Sequence, residues 1–339
     1  MRSRVVIVGA GFAGLNAAHS LRRADADVTI VDGDDYHTFQ PLLYQVSTGY
    51  LAPEEVGAAL RAVFCRQANG RVRIGKASGL DYPAHALVLQ DGSRLDFDYL
   101  IVAAGAEANF FGIPGMREHA WPLYTLPNAI RLRRHLLSTL EQAAARHDAG
   151  PINVVVAGGG STGVETAGAL ISMARELGEP AARLQVILVE ATRRLLNGFS
   201  TRSSRAALAD LRRRGVDVRL GQTAQTANAR HVTLGGGEQI QTGTVIWAAG
   251  VRANGLGRGL GLDVSDHGRI VVNSRLQAAD HPDVFAAGDL AAVTQPPSGQ
   301  PMPMLAPVAI QSGRHAGRRT RRRCCTRCSR RPASSPTRS

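Results

Sequence analysis

Short apolar runs that end on glycine or on an acid recur along this chain. Val5-Val6-Ile7-Val8 enters Gly9-Ala10-Gly11-Phe12-Ala13-Gly14, and Val28-Thr29-Ile30-Val31 stops at Asp32. Tyr99-Leu100-Ile101-Val102 closes on Ala103-Ala104-Gly105. Short, mostly β-branched runs with such boundaries predict buried strands. Helical spacing fills 13–23 and 54–64, and a longer stretch over 128–147 places Ile130, Leu136, Leu137 and Leu140 inward with arginines outward. Gln90-Asp91-Gly92, between runs at 86–89 and 94–97, predicts a hairpin whose glycine takes the left-handed position. The stretch 34–45 follows neither period and reads as a loop. Residues 106–127, with Pro114, Gly115 and Pro122, form a candidate boundary.

The same order then returns. Val154-Val155-Val156-Ala157 enters Gly158-Gly159-Gly160-Ser161-Thr162-Gly163, a helix is predicted over 164–177, and Val186-Ile187-Leu188-Val189 ends on Glu190. Gly158 follows Gly9 by 149 positions, Val218 follows Val72 by 146, and Gly250, closing Val245-Ile246-Trp247-Ala248-Ala249, follows Gly105 by 145. A register this constant marks two similar units. In each, the GxGxxG glycines allow a tight turn and close approach of backbone amides to a pyrophosphate. The next helix aims its N-terminus at the phosphates, and the strand-end acid accepts from ribose hydroxyls. A secretory signal at the N-terminus is excluded, because its removal would destroy the first unit.

After Gly250 no third copy appears. Val284-Phe285-Ala286-Ala287 instead ends on Gly288-Asp289, a suitable acceptor for a hydroxyl near a pyrophosphate, and Ala306-Pro307-Val308-Ala309-Ile310-Gln311 follows a proline-rich loop. The formal charge of +13 changes little in this picture: ten arginines and no acid lie from Arg314 onward, which leaves +3 for the first 313 residues. The basic balance belongs to the tail, so nucleic acid is not an expected partner of the fold. No run of eighteen apolar residues predicts a membrane span. Cys65, Cys324, Cys325 and Cys328 fit neither a disulfide framework nor a zinc site, and a reducing, cytoplasmic compartment follows.

Two dinucleotide sites in one chain point to electron transfer between two dinucleotides. The order of fingerprint, nested second fingerprint and late Gly-Asp resembles the glutathione-reductase-like flavoproteins. The segments His37-Thr38-Phe39-Gln40-Pro41-Leu42-Leu43-Tyr44-Gln45, 158–165 and 306–311 are similar to type II NADH:quinone oxidoreductases. The resemblance implies an α/β fold of two Rossmann-like domains, the second nested in the first: 1–112 with 256–317 for FAD and 113–255 for NADH. It assigns Gly9, Gly11, Phe12, Ala13, Gly14, Asp32, Gly105, Gly288 and Asp289 to FAD, and Gly158, Gly160, Gly163, Glu190 and Gly250 to NADH/NAD. It places Glu165 near the nicotinamide and flavin as a catalytic residue. Gln45, Ala306, Ala309 and Gln311 fall on the quinone side, Gln311 also as a catalytic group. Pro307 replaces the first glutamine of the family motif. No cysteine pair lies near 36–45, which disfavours disulfide or sulfide chemistry. The implied acceptor is ubiquinone or menaquinone, with peripheral attachment to the inner face of the cell membrane and a possible homodimer. Arg193 and Arg194 could soften the preference of Glu190 for NADH over NADPH.

Two further expectations concern acceptor and tail. A protein acceptor such as rubredoxin would use the same two sites, and a nucleotide-binding remnant without quinone turnover is the non-enzyme alternative. The segment 318–339, which is Arg-rich, is expected to be disordered. Its abrupt change of composition near Arg318 suggests a broken reading frame that removes a quinone-pocket and membrane-anchor segment.

Overall fold

The computed structural model describes residues 2–145, 150–295, 297 and 299–329. The chain divides into two compact units: Met1–His37, Ala58–Glu107 and Arg252–Ser339 form the first, and Thr38–Gly57 with Ala108–Val251 the second. Residues 38–57, expected with the first domain, thus group with the second unit.

The first unit is built on a six-stranded sheet whose order runs Gln277–Ala278, His281–Ala286, Tyr99–Val102, Ser3–Val8, Ala26–Asp32, Gly70–Ile74. Only the first pair is antiparallel. The apolar run read at 5–8 is a central strand, with Val5 beside Val28 and Tyr99, and Ile7 beside Ile30 and Ile101. Both of its faces are covered, which is why it reads as continuously apolar. Helix Phe12–Ser20 lies on one face, and the antiparallel sheet of Ala77–Asp81, Ala86–Leu89 and Arg94–Asp96 belongs to the other.

The second unit repeats the plan. Five parallel strands run in the order Ala120–Pro122, Thr244–Trp247, Ile152–Ala157, Leu184–Glu190, Asp217–Leu220, with helices Leu126–Ala145, Ser161–Leu177 and Thr201–Arg213. A three-stranded antiparallel sheet, Ala224–Ala227, His231–Leu234 and Gln239–Gln241, matches the one in the first unit. The end of the helix predicted over 128–147 lies outside the described residues.

Three expectations need correction. The helix predicted over 54–64 is split into Pro53–Val56 and Leu60–Phe64 by an extended piece, Gly57–Ala59. The Val56 carbonyl is taken by the Phe39 amide at 2.8 Å, and the Leu60 amide bonds the Asp35 carbonyl, so neither is left for a continuous helix. The presumed loop over 34–45 contains strand Tyr36–Thr38 and, after one 3-10 turn, the start of helix Leu43–Ser47.

The largest correction is the tail. A single helix spans Ala306–Ser329, across the point where folded sequence was expected to stop. Ala309, Ser312, Ala316, Thr320 and Cys324, three or four residues apart, are buried. This stripe lies against helix Phe12–Ser20 closely enough that a Cβ at Gly313 would stand 2.1 Å from the Ala13 carbonyl oxygen, and one at Gly317 2.5 Å from that of Ala17. The arginines occupy the other faces: Arg314, Arg318, Arg321 and Arg322 are exposed, and Arg323 bonds the Pro282 carbonyl and Asp283. Burial pushes the Cys324 thiol up to about 11, which makes it a neutral packing group. Residues 330–339 lie outside the described residues.

Candidate dinucleotide sites

In the first unit, Gly9 sits at φ +101°, and a Cβ there would meet the Ala103 carbonyl oxygen at 2.3 Å. A Cβ on Gly14 would stand 1.8 Å from the Gly9 carbonyl oxygen, so the helix can start against the strand only with glycine. Gly11 has open space where its side chain would be. Asp32 at the strand end accepts from the Ala10 amide at 2.5 Å through Oδ2 and from the Asp34 amide at 3.0 Å through Oδ1. The carboxylate is therefore held in one orientation, with lone pairs to spare for hydroxyl donors. Phe12 is half-buried and meets the His37 ring edge-on at 5.3 Å. His37 also donates from Nδ1 to the Ala10 carbonyl at 2.8 Å, a role that sequence reasoning missed. Its place in the 37–45 segment was the available signal.

Strand His281–Ala286 delivers Gly288 and Asp289 to the same unit, and Gly105 accepts from the Asn254 amide through its carbonyl. The Asp289 Oδ1 atom is buried without a hydrogen-bond partner among the described residues. Burial raises the Asp289 carboxyl above its ordinary value, against the pull of the Arg269 cation. A buried acceptor with a free lone pair beside a glycine-lined turn can take a hydroxyl donor, and the residues present fit a flavin dinucleotide.

The second unit reproduces this geometry. Gly158 has φ +111°, and a Cβ would meet the Ala248 carbonyl oxygen at 2.5 Å; a Cβ on Gly163 would again stand 1.8 Å from the carbonyl oxygen of the first glycine. Gly160 is open, like Gly11. Glu190 accepts from the Gly159 amide at 2.6 Å and from the Thr192 amide at 2.7 Å, and Gly250 accepts from the Asn109 amide. Arg194 does not reach toward the acid: it is bound to Asn197 Oδ1 at 3.1 Å, the Asn197 carbonyl at 2.7 Å and the Phe199 carbonyl at 2.8 Å.

Of the residues expected at the reaction centre, Glu165 and Gln45 come together. Both line a cleft of about 610 Å³ in the second unit, with Tyr44, Tyr50, Ser172 and Glu176. Gln45 donates to the Tyr44 hydroxyl at 3.0 Å, and Tyr50 donates to Glu176 at 2.8 Å. Desolvation by the cleft wall raises the Glu165 carboxyl above its ordinary value of 4.5. Gln311 and Pro307 lie on the exposed side of the C-terminal helix of the first unit, and Ala306 is half-buried. Ala309 is buried in the core beside Ala13 and Ala17, so it does not share a face with Gln311. No metal cluster exists among the described residues, and none of their helices is long and apolar enough to cross a membrane.

A glycine fingerprint closed by a strand-end acid, present once in each of two parallel-sheet units, defines a two-dinucleotide-binding flavoprotein fold. Residues 3–313 match the family model described as pyridine nucleotide-disulphide oxidoreductase. The chain is 34% identical to the type II NADH:quinone oxidoreductase NdhA of Mycobacterium tuberculosis, over 93% of this chain and 70% of that protein. It is 30% identical to a type II NADH:quinone oxidoreductase of Staphylococcus aureus, over 92% and 80%. Among solved structures, NDH2 from Plasmodium falciparum in complex with NADH is similar with a TM-score of 0.79 and 21% identity, over 87% of this chain and 65% of that one. The chain thus spans less than two thirds of that structure. It belongs to the pyridine nucleotide-disulphide oxidoreductase family and, within it, to the type II NADH:quinone oxidoreductases.

Proposed function

We propose that the chain is an FAD-dependent oxidoreductase that takes a hydride from NADH and passes two electrons to a quinone, ubiquinone or menaquinone. The reading is carried by one observation: each unit holds a strand-end carboxylate locked onto a fingerprint amide, Asp32 on Ala10 and Glu190 on Gly159. When bound, FAD supplies the two-electron chemistry. Gly9, Gly11, Phe12, Ala13 and Gly14 give its pyrophosphate a backbone cradle, Asp32 accepts from its ribose, and Asp289 Oδ1 and Gly105 complete that site. Gly158, Gly160 and Gly163 cradle the NADH pyrophosphate, with Glu190 on its ribose and Gly250 at the strand end. Glu190 repels a 2′-phosphate and Arg194 is tied to its own loop, so of the two neighbouring cations only exposed Arg193 can offset that repulsion, and NADH is preferred over NADPH. Glu165, whose raised carboxyl holds its proton to higher pH than an exposed glutamate, moves a proton at its side-chain oxygens while Gln45 beside it offers an amide to the acceptor. Gln311 presents a second amide on the quinone side.

The test is spectroscopic. Purified protein loaded with FAD should be yellow, bleach when NADH is added without oxygen, and recover its colour on addition of a soluble quinone. Recovery only with a protein acceptor such as rubredoxin would replace quinone by protein in this reading. Folded protein that binds no flavin would end it.

A further inference from the structure

The C-terminal helix does more than cover the first fingerprint. Three backbones converge there with almost no side chain between them. A Cβ on Gly288 would lie 2.9 Å from Ala13 Cβ and 3.7 Å from Ala309 Cβ, and Gly313 meets the Ala13 carbonyl. The polar side chain bonded within this junction is Ser312, 7% exposed. Its Oγ accepts from the Gly288 amide at 2.9 Å and donates to the Val308 carbonyl at 2.7 Å. One hydroxyl therefore joins the helix to the residue immediately before Asp289, whose buried Oδ1 has no protein partner among the described residues. A serine inside a helix ordinarily spends its hydroxyl on the preceding turn alone. Here the lone pairs are also used, on an amide outside the helix.

We infer that Ser312 is a positioning residue of the flavin site: by holding the Gly288 amide it fixes the turn that aims the Asp289 carboxylate at the cofactor. The inference rests on the reading of the first unit as the FAD site. Ser312 itself does not touch the ligand. Without the hydroxyl, the Gly288 amide is left unpaired in a buried junction and the turn is free to rotate toward another acceptor.

Affinity of the full-length apoprotein for FAD, measured by quenching of flavin fluorescence, tests this. Ser312→Ala should weaken binding about fivefold to tenfold, the effect of one lost hydrogen bond, and Ser312→Thr, which keeps the hydroxyl, should bind within about twofold of the natural chain. The decisive measurement is a double-mutant cycle. If Ser312 acts through Asp289, then Ser312→Ala should cost nothing further in an Asp289→Ala background. Equal losses in both backgrounds, or unchanged affinity in Ser312→Ala alone, would overturn the inference while leaving the FAD site in place. Should the alanine variant not fold, Ser312→Cys, close in volume and a weaker acceptor, should show the same coupling at smaller size. A natural chain that binds no FAD overturns the flavin reading and this inference together.

Discussion

The two units use one device in two settings. In both, the first and last glycines of the fingerprint are fixed by the same close approaches, and the acid is held by two amides. What differs is the covering of the fingerprint helix. In the first unit, Phe12–Ser20 is short and is overlaid by the C-terminal helix through Gly313 and Gly317, with Gly288 wedged against Ala13. In the second, Ser161–Leu177 is nearly twice as long and keeps an open cleft along the face that carries Glu165, Ser172 and Glu176. The same local sequence pattern therefore stands under two different coverings: one fingerprint helix is sealed by a second helix, and the other keeps a cleft whose lining holds Glu165 but none of the fingerprint glycines.

The strongest way to break this comparison is at the last fingerprint glycine, where the geometry is identical. Gly14→Ala should give protein that melts lower and is colourless, with at least about a hundredfold loss of FAD affinity in the fraction that circular dichroism shows folded, because a Cβ at 1.8 Å from a backbone oxygen cannot be relieved by a side-chain movement. Gly163→Ala should keep the yellow colour and lose a similar factor in the rate of bleaching by NADH, read by stopped flow.

A smaller effect is expected at the strand-end acid of the first unit. Asp32→Ala removes a charge-assisted contact of about 1.5 to 3 kcal/mol, so flavin fluorescence titration should show affinity falling roughly tenfold to a hundredfold. Glu165→Gln sharpens the contrast from the open side. Quinone reduction should slow about tenfold with FAD content unchanged, and the pH–rate profile should lose the limb set by a carboxyl titrating above 4.5. An unaltered pH profile would remove Glu165 from proton movement.

The smallest effect concerns stability. The Asp289 carboxyl is raised in the folded apoprotein, so its ionised form opposes folding at neutral pH, and that cost shrinks once pH drops below the folded value and is gone below the ordinary value of 3.8. Asp289→Asn apoprotein should therefore melt higher at pH 7, by roughly 2 °C, and lose its advantage at low pH, even as its FAD affinity drops. Scanning calorimetry at the two pH values checks the sign.

Much of this arrangement was legible along the chain, because a strand, a glycine turn and a terminal acid are local patterns with a direct structural cause. The buried strand at Val5–Val8 and the near-constant spacing of the two copies follow from the same signal. The 36–47 segment was not legible, since helix Leu43–Ser47 is too short to show a period. At the tail, composition hid periodicity: arginines dominate the count, yet Ala309, Gly313, Ala316, Thr320 and Cys324 mark one continuous inner face at helical spacing. The partners of His37 and of the Gly288 amide are distant in sequence, and no local pattern encodes them.

Arg194 carries a practical corollary. Its guanidinium already closes the turn at Asn197 and Phe199 with three bonds, so it cannot be recruited to a 2′-phosphate without unstitching that turn. Redirecting the chain to NADPH would therefore have to draw on exposed Arg193 or on a new cation in the 190–199 bend, since neutralising the strand-end acid removes repulsion but adds no attraction.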